Sequence, residues 1–149
     1  MKTQNVIKAA IALASTVIVS TPLVALAGLY QDQIRVQLLG AALTLGFGNY
    51  NLSHDPYIDT LDRNRSEYLT VNLQGGTSYA LVGVCDEDCQ DLDLRLYDEN
   101  GNLVSSDNTS DDTPVVSVTP SWSGQFQVKA TMYECSTSYC YYGVGVFSR

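Results

Sequence analysis

The clearest pattern in the chain is a short run in which leucine alternates with charged residues. The run comprises Asp91, Leu92, Asp93, Leu94, Arg95 and Leu96. A period of two is typical of a β-strand with one face in a core and the other in water. We therefore expect the leucines to be buried and the charged residues to face solvent. Residues 98–101 read Asp-Glu-Asn-Gly, which favours a tight reversal directly after the strand.

Similar short apolar segments recur from residue 67 to the end of the chain. Turn-forming residues separate them at intervals of roughly 8–12 residues, a spacing typical of antiparallel sandwiches and barrels. The segments are centred on Leu69–Leu73, residues 79–84, 92–97, 103–106, 115–119, 125–133 and 142–146. The sequence therefore predicts a mainly β protein, in which residues 67–149 form an antiparallel β-sandwich preceded by one N-terminal helix.

That helix is predicted over residues 28–47. Its apolar stripe consists of Ile34, Leu38, Ala42 and Leu45, which recur at helical spacing. We expect the stripe to pack on the sandwich or to cover a sheet edge, and docking to a partner or to a second copy is the alternative. Residues 48–66 are rich in turn-forming residues without periodicity, and they are predicted to be a connector.

The first 27 residues have the features of a signal peptide. Two lysines give a positively charged start, residues 9–26 are almost wholly apolar, and residues 25–27 read Ala-Leu-Ala, a typical cleavage site. Cleavage would make Gly28 the first residue of an exported protein, periplasmic or extracellular, without stable membrane insertion. The alternative is an uncleaved anchor, because the apolar run approaches the roughly 20 residues that span a bilayer.

The charge of the chain is strongly negative. It has 8 basic and 16 acidic residues, a net charge of −8. Residues 1–27 contain two of the basic residues and none of the acidic ones, so residues 28–149 carry 6 basic against 16 acidic residues, net −10. An acidic surface repels phosphate groups, which argues against nucleic acid and anionic membranes as partners.

All four cysteines follow the predicted signal peptide, as Cys85-x3-Cys89 and Cys135-x4-Cys140. In an exported protein we expect two disulfides rather than a zinc site, because the spacing is not the short C-x2-C type. Four cysteines allow three pairings, and spacing alone does not choose between them. Local bonds are the simplest arrangement, and cross-loop bonds stay open as an alternative.

If successive strands run in opposite directions, loops 85–89, 107–112 and 135–140 lie at one end of the sandwich, here called the loop pole. Clustered loop carboxylates are suitable ligands for calcium, which takes about six to eight oxygens. The candidate calcium ligands are Asp86, Asp88, Asp91, Asp107, Asp111 and Asp112. The alternative is a solvated set of loops whose Asp residues form turns.

Residues 69–146 resemble the bacterial pre-peptidase C-terminal domain, a jelly-roll-like sandwich found attached to many secreted peptidases. The resemblance is carried by Val71-x-Leu73-x-x-Gly76-x-x-Tyr79, Asp91-Leu92-Asp93-Leu94-x-Leu96-Tyr97-Asp98, Asn100-Gly101, Ser106-Asp107, Pro114 and Gly124-x-Phe126-x-Val128. It implies a non-catalytic accessory module that aids secretion, stability or binding, in some members with calcium. The segment before residue 67 is too short for a peptidase domain, and the two cysteine pairs are not part of the general pattern. We therefore expect a free-standing small secreted relative.

Residues suited to catalysis are sparse. His54 is the single histidine of the chain, and the sequence has no G-x-S-x-G elbow, so we expect no enzyme activity. Tyr139, Tyr141 and Tyr142 cluster beside the second cysteine loop, where they would either stack on a ligand or serve as ordinary strand residues. We predict a binding or accessory module for a polysaccharide or protein, with calcium as its candidate stabiliser. The alternative is an assembly protein whose helix docks a partner or makes a homo-oligomer.

Overall fold

The computed structural model describes residues 23–149, with side chains from Gly28 onward. Most of the predicted signal peptide therefore lies outside the described residues. Within them the chain forms one helix and nine strands: α1 (Leu23–Thr44), β1 (Asn51–Leu52), β2 (Tyr57–Asp62), β3 (Arg65–Leu73), β4 (Tyr79–Cys85), β5 (Cys89–Tyr97), β6 (Leu103–Asp107), β7 (Val115–Val118), β8 (Gly124–Cys135) and β9 (Tyr139–Ser148). No helix in residues 23–149 is long and apolar enough to cross a bilayer.

The strands form two antiparallel sheets that share a core. The first, here called the helix sheet, has the order β1-β9-β4-β7, and β2 also pairs with β9. The second, here called the open sheet, has the order β3-β8-β5-β6. The sheets do not close into a barrel. The predicted antiparallel sandwich with a helix on its N-terminal side is therefore confirmed.

The core between the sheets contains the leucines of the alternating run. Leu92, Leu94 and Leu96 are each 0 % exposed. Tyr142 of β9 is also buried in this core, and its hydroxyl donates to Glu67 Oε2 on β3 at 2.9 Å. Burial, followed by this bond to the Glu67 carboxylate, raises the pKa of Tyr142, so the hydroxyl remains a donor that joins the two sheets.

Helix α1 covers the outer face of the helix sheet. Ile34, Leu38 and Ala42 are 1 %, 1 % and 4 % exposed. They form a second apolar cluster with residues of β4 and β9, namely Ala80, Val82, Val84 and Phe147. The expectation that the stripe packs on the sandwich is confirmed for these three residues.

The helix ends at Thr44, before the fourth residue of the predicted stripe. Gly46 has a φ of 87°, its N–H donates to Leu43 O, and the Phe47 N–H donates to Ala42 O. These two bonds form a Schellman motif, in which a residue with positive φ ends the helix. Leu45 is 43 % exposed, so its predicted place in the buried stripe was wrong. At its other end α1 begins at Leu23, before the predicted first residue of the exported protein.

Residues 48–66, predicted to be a connector, contain β1, β2 and the start of β3. Strand β2 pairs with β9 over six residues, from Tyr57 opposite Val144 to Asp62 opposite Tyr139. It lies at a sheet edge, and Leu61 is its one buried residue. A strand that buries so little side chain has almost no hydrophobic period, which explains why the sequence pattern missed it.

Two glycines of β9 allow α1 to lie close to the sheet. A Cβ at Gly143 would collide with Ile34 Cγ2 and would lie 3.2 Å from the Tyr57 carbonyl oxygen. A Cβ at Gly145 would lie 2.8 Å from the Phe147 ring and 3.4 Å from Leu38 Cδ2. The helix therefore occupies space that a side chain on β9 would otherwise fill.

We expect Gly143→Ala to destabilise the fold by about 1–3 kcal/mol, because the new methyl group overpacks the contact with a β-branched helix residue. Gly40→Ala is the matched control: nothing lies within 4 Å of its added Cβ. Alanine is also the better helix former, so this control should gain roughly 0.5–1 kcal/mol. Urea unfolding of both variants measures the difference, and a Gly143→Ala protein as stable as the wild type would contradict the close packing.

Candidate functional site

The loop pole is held by two local disulfides. Cys85–Cys89 closes the β4–β5 loop with a Cα–Cα distance of 5.9 Å, and Cys135–Cys140 closes the β8–β9 loop at 6.0 Å. All four cysteines are therefore used, which confirms the two predicted disulfides and excludes the zinc alternative. Two disulfides are consistent with an oxidising environment of the kind found outside the cytoplasm.

The two disulfide loops contact each other directly, as the count of strand directions predicted. Asp86 and Tyr141 exchange two bonds: the Asp86 N–H donates to Tyr141 O at 3.0 Å, and the Tyr141 N–H donates to Asp86 Oδ2 at 2.9 Å. The Ser136 N–H donates to Asp88 O at 2.8 Å, and its hydroxyl donates to Asp88 Oδ1 at 3.0 Å. The loops therefore form one bonded unit.

Helix α1 completes this end of the molecule. The Tyr30 ring stacks on Tyr141 with centroids 4.5 Å apart and planes within 4°, and Tyr139 meets Tyr141 edge-on at 6.1 Å. Between the helix and the loops lies a pocket of about 200 Å³, here called the loop-pole pocket. It is lined by Tyr30, Gln33, Asp86, Glu87, Asp88, Thr137, Tyr139 and Tyr141.

Asp86 is the unusual residue of this pocket. It is 8 % exposed, and its Oδ1 atom has no hydrogen-bond partner. Burial raises the pKa of Asp86, although its bonds from backbone N–H groups act in the opposite direction. A buried carboxylate oxygen without a partner is costly, so this atom indicates a site suited to an additional donor or cation.

The third loop of the pole uses its carboxylates to bond its own backbone. Asp107 accepts from the Val115 N–H at 2.8 Å, and Asp111 accepts from the Thr113 N–H at 3.0 Å. Thr109 Oγ1 lies 2.7 Å from an oxygen of each of these two carboxylates. Burial alone would raise the pKa of Asp107, but the bonds from Thr109 and Val115 outweigh it and lower that pKa.

The six candidate calcium ligands therefore do not form one cluster. Asp86 and Asp88 belong to the loop-pole pocket, Asp107 and Asp111 bond their own loop, and exposed Asp112 accepts from the neighbouring Thr113 hydroxyl. Asp91 lies at the start of β5, near Asp111 and Glu134. Among residues 28–149, no three Asp, Glu, His or Cys side chains come together in an arrangement that would hold a metal ion.

The charged face of β5 is more enclosed than predicted. Asp93 is 3 % exposed, so its expected position facing water was wrong. Loop 108–113 runs beside the strand: the Leu92 N–H donates to Asp111 O at 2.9 Å, and Arg95 Nε donates to Asn108 Oδ1 at 3.3 Å. Arg95 Nη2 lies 3.7 Å from Asp93 Oδ2, and Lys129 of β8 is the cross-strand partner of Arg95.

Sequence reasoning found part of the pocket and missed the rest. Tyr139 and Tyr141 line it as proposed, whereas Tyr142 is buried in the core. Tyr30 and Gln33 were missed, because they reach the loop pole only when α1 packs on the sheet. His54 lies outside the pocket and contacts Ser53 Oγ at 2.9 Å and Asn72 O at 3.1 Å.

The free energy of unfolding should first increase as the pH falls from 7 and then decrease at still lower pH. Burial, followed by the charges of Asp111 and Glu134, raises the pKa of Asp91, and burial with the charge of Asp91 raises that of Asp93. Groups with a raised folded-state pKa bind protons more tightly in the fold, so stability increases as pH falls from 7 toward their ordinary value of 3.8. Below 3.8 it decreases, because Asp98 and Asp107 have lowered pKa values.

We expect Asp91→Asn to raise the melting temperature at pH 7, by the equivalent of roughly 0.5–1 kcal/mol, because it removes a partly buried charge near two other acids. Because the pKa of Asp91 is raised, the carboxyl group is protonated in both the folded and the unfolded wild type once the pH falls below the ordinary value of 3.8, and the gain should vanish there. Melting curves from pH 3 to 7 measure this, with Asp112→Asn as a control for the loss of an exposed charge at the same pole. A gain that persisted at pH 3 would show that the effect is not electrostatic.

Comparison with known proteins adds no family assignment. No protein-family model matches this chain, and no curated protein sequence matches it either. The resemblance to the pre-peptidase C-terminal domain therefore stays a prediction from the sequence motifs, and the fold rests on the two sheets described above.

Proposed function

We propose that this protein is a non-catalytic secreted or envelope binding module whose ligand site is the loop-pole pocket. The observation that carries the proposal is the buried Asp86 carboxylate, which lines a concave pocket and has one oxygen without a partner. Concave sites with a few convergent polar groups are the usual places for ligands. Tyrosines beside such a site add broad contact area at a small entropic cost.

The rigidity of the pocket supports the same proposal. Both loops that line it are closed by disulfides, and the bonds from Ser136 to Asp88 hold one loop against the other. A site whose walls are already fixed loses little entropy when a ligand binds. We propose a polysaccharide or a protein as the ligand, at a periplasmic or extracellular location.

We propose that calcium, where it binds, stabilises the loop pole and is not the ligand of the pocket. Asp107 and Asp111 already accept bonds from the N–H and O–H groups of their own loop, so a calcium ion there would have to replace those bonds. The metal would also relieve the repulsion between Asp91, Asp93 and Asp111.

Two matched tyrosines test the pocket as the ligand site. Tyr139 lines the pocket and is 48 % exposed, whereas Tyr133 lies outside it and is 49 % exposed. We expect Tyr139→Ala to lower affinity at least about tenfold, the equivalent of one lost stacking contact, and Tyr133→Ala to leave it unchanged. Binding would be measured against immobilised neutral, acidic and amino polysaccharides and against peptide arrays. Equal losses in the two variants would place the ligand elsewhere.

An assembly role through α1 is the second candidate function. The face of the helix opposite its buried stripe is apolar and uncovered: Leu29, Val36, Leu39 and Leu43 are 65 %, 71 %, 52 % and 66 % exposed. The helix carries one acid, Asp32, and one base, Arg35, so this surface has no net charge on a protein whose net charge is −8. Two copies would repel each other over most of their surfaces and least along α1, so we propose a second copy as the occupant.

We expect the double variant Val36→Lys and Leu43→Lys to be monomeric at concentrations where the wild type self-associates, because it places like charges in the contact. Leu103→Lys is the matched control, an apolar residue that is 56 % exposed on β6 of the open sheet. Sedimentation equilibrium from micromolar to millimolar protein distinguishes them. A wild type that is monomeric over this range would remove the assembly candidate and leave the pocket as the functional site.

A further inference from the structure

The charged residues that line the loop-pole pocket are all acidic. Three of its lining residues are acidic, Asp86, Glu87 and Asp88, and none is basic. Glu87 is exposed and Asp88 is half-buried, so solvent reaches both residues. Like charges this close repel one another, and a cation between them would reverse the sign of that interaction.

The tyrosines that line the pocket favour an organic cation over a metal ion. Tyr30, Tyr139 and Tyr141 form a connected set, with Tyr30 and Tyr141 stacked at 4.5 Å. Ring faces attract organic cations through their quadrupole, whereas calcium takes only oxygen ligands.

The volume of the pocket and the buried side chain of Asp86 restrict the kind of ligand further. The pocket volume of about 200 Å³ is smaller than the roughly 300–1,000 Å³ of sites for drug-sized molecules, so it accepts one side chain rather than a chain of sugar rings. Asp86 lines this space, and its buried Oδ1 atom has no hydrogen-bond partner. An ammonium or guanidinium group supplies N–H donors and the positive charge that keeps Asp86 ionised.

We infer that the loop-pole pocket receives a basic side chain, lysine or arginine, from a partner protein. This inference rests on the proposed function and names the chemistry of its ligand. The carboxylates hold the charged end, and the tyrosines contact the aliphatic stem and the cationic face. The acidic surface of the protein attracts basic partners over a distance and raises their association rate at low ionic strength.

The test uses the exported, oxidised protein and small probes that carry only the head groups. n-Butylammonium and n-butylguanidinium represent lysine and arginine, and 1-butanol is the uncharged control. Amide signals of residues 86–88 and 137–141 in ¹⁵N-edited NMR spectra should shift with at least one cation and not with butanol. The Kd should rise at least about tenfold in Asp86→Asn and in the double variant Glu87→Gln and Asp88→Asn, and it should stay unchanged in Tyr133→Ala.

The outcomes separate this inference from the proposed function. If neither cation shifts the signals, or if the Kd is unchanged in the double variant Glu87→Gln and Asp88→Asn, the assignment of a cationic ligand would be overturned. If Tyr139→Ala still abolished binding to some polymer, the pocket would remain a ligand site of another chemistry. If a glucosamine tetramer binds at least tenfold more tightly than a lysine-containing pentapeptide, the ligand is an amino sugar and not a protein side chain. Calcium chloride that shifts the same signals at lower concentration would reassign the pocket to a metal.

Discussion

The contact between α1 and β9 depends on the missing side chains at Gly143 and Gly145. Ile34 and Leu38 occupy that space, and the same helix then brings Tyr30 to within 4.5 Å of Tyr141. Strand β9 also pairs with β2 on one edge and with β4 on the other, and it begins at the disulfide loop that lines the pocket. A shift of the helix away from this strand would expose the second apolar cluster and open the pocket at once. Stability and the candidate site are therefore linked through one packing contact.

The loop pole concentrates negative charge, and the structure offsets that charge in two ways. Backbone N–H groups donate to the carboxylates of Asp86, Asp107 and Asp111. For Asp107 the bonds from Thr109 and Val115 outweigh burial and lower the pKa, which favours the ionised form. The two disulfides hold the loops in place although their acids repel one another, and they lower the entropy of the unfolded chain. These hydrogen bonds do not reach the Oδ1 atom of Asp86, which has no partner, and the pKa values of Asp91 and Asp93 stay raised. Unpartnered buried atoms and shifted pKa values are common where a ligand completes a site.

The sequence predicted those elements whose side chains are sorted by burial. The leucines of β5, the valines and leucines of β3 and the buried stripe of α1 each show a clear period, because one face of each element meets a core. Strand β2 has no such period, since an edge strand with one buried residue leaves almost no mark on the pattern. Asp93 was misplaced because alternation reports which face a residue occupies, not whether a distant loop runs beside it. The sequence predicted only the part of the pocket that the loops contribute, because strand direction brings those loops together. Tyr30 and Gln33 were not predicted, because their position depends on where the helix packs.

Helix α1 has apolar residues on two opposite faces, and the two proposed roles use different parts of it. Its inner face is buried on the sheet, its N-terminal part contributes Tyr30 and Gln33 to the pocket, and its outer face exposes Val36 and Leu43. An apolar face turned to water is unfavourable for a small domain, and a patch of this kind typically marks a surface that a partner covers. The pocket is acidic and aromatic, whereas the outer face of the helix is largely aliphatic and has no net charge, so a ligand that suits one surface does not suit the other. A second copy on the outer face would leave the pockets of both copies available to a basic partner, and pairing would then increase the strength of binding through two linked sites.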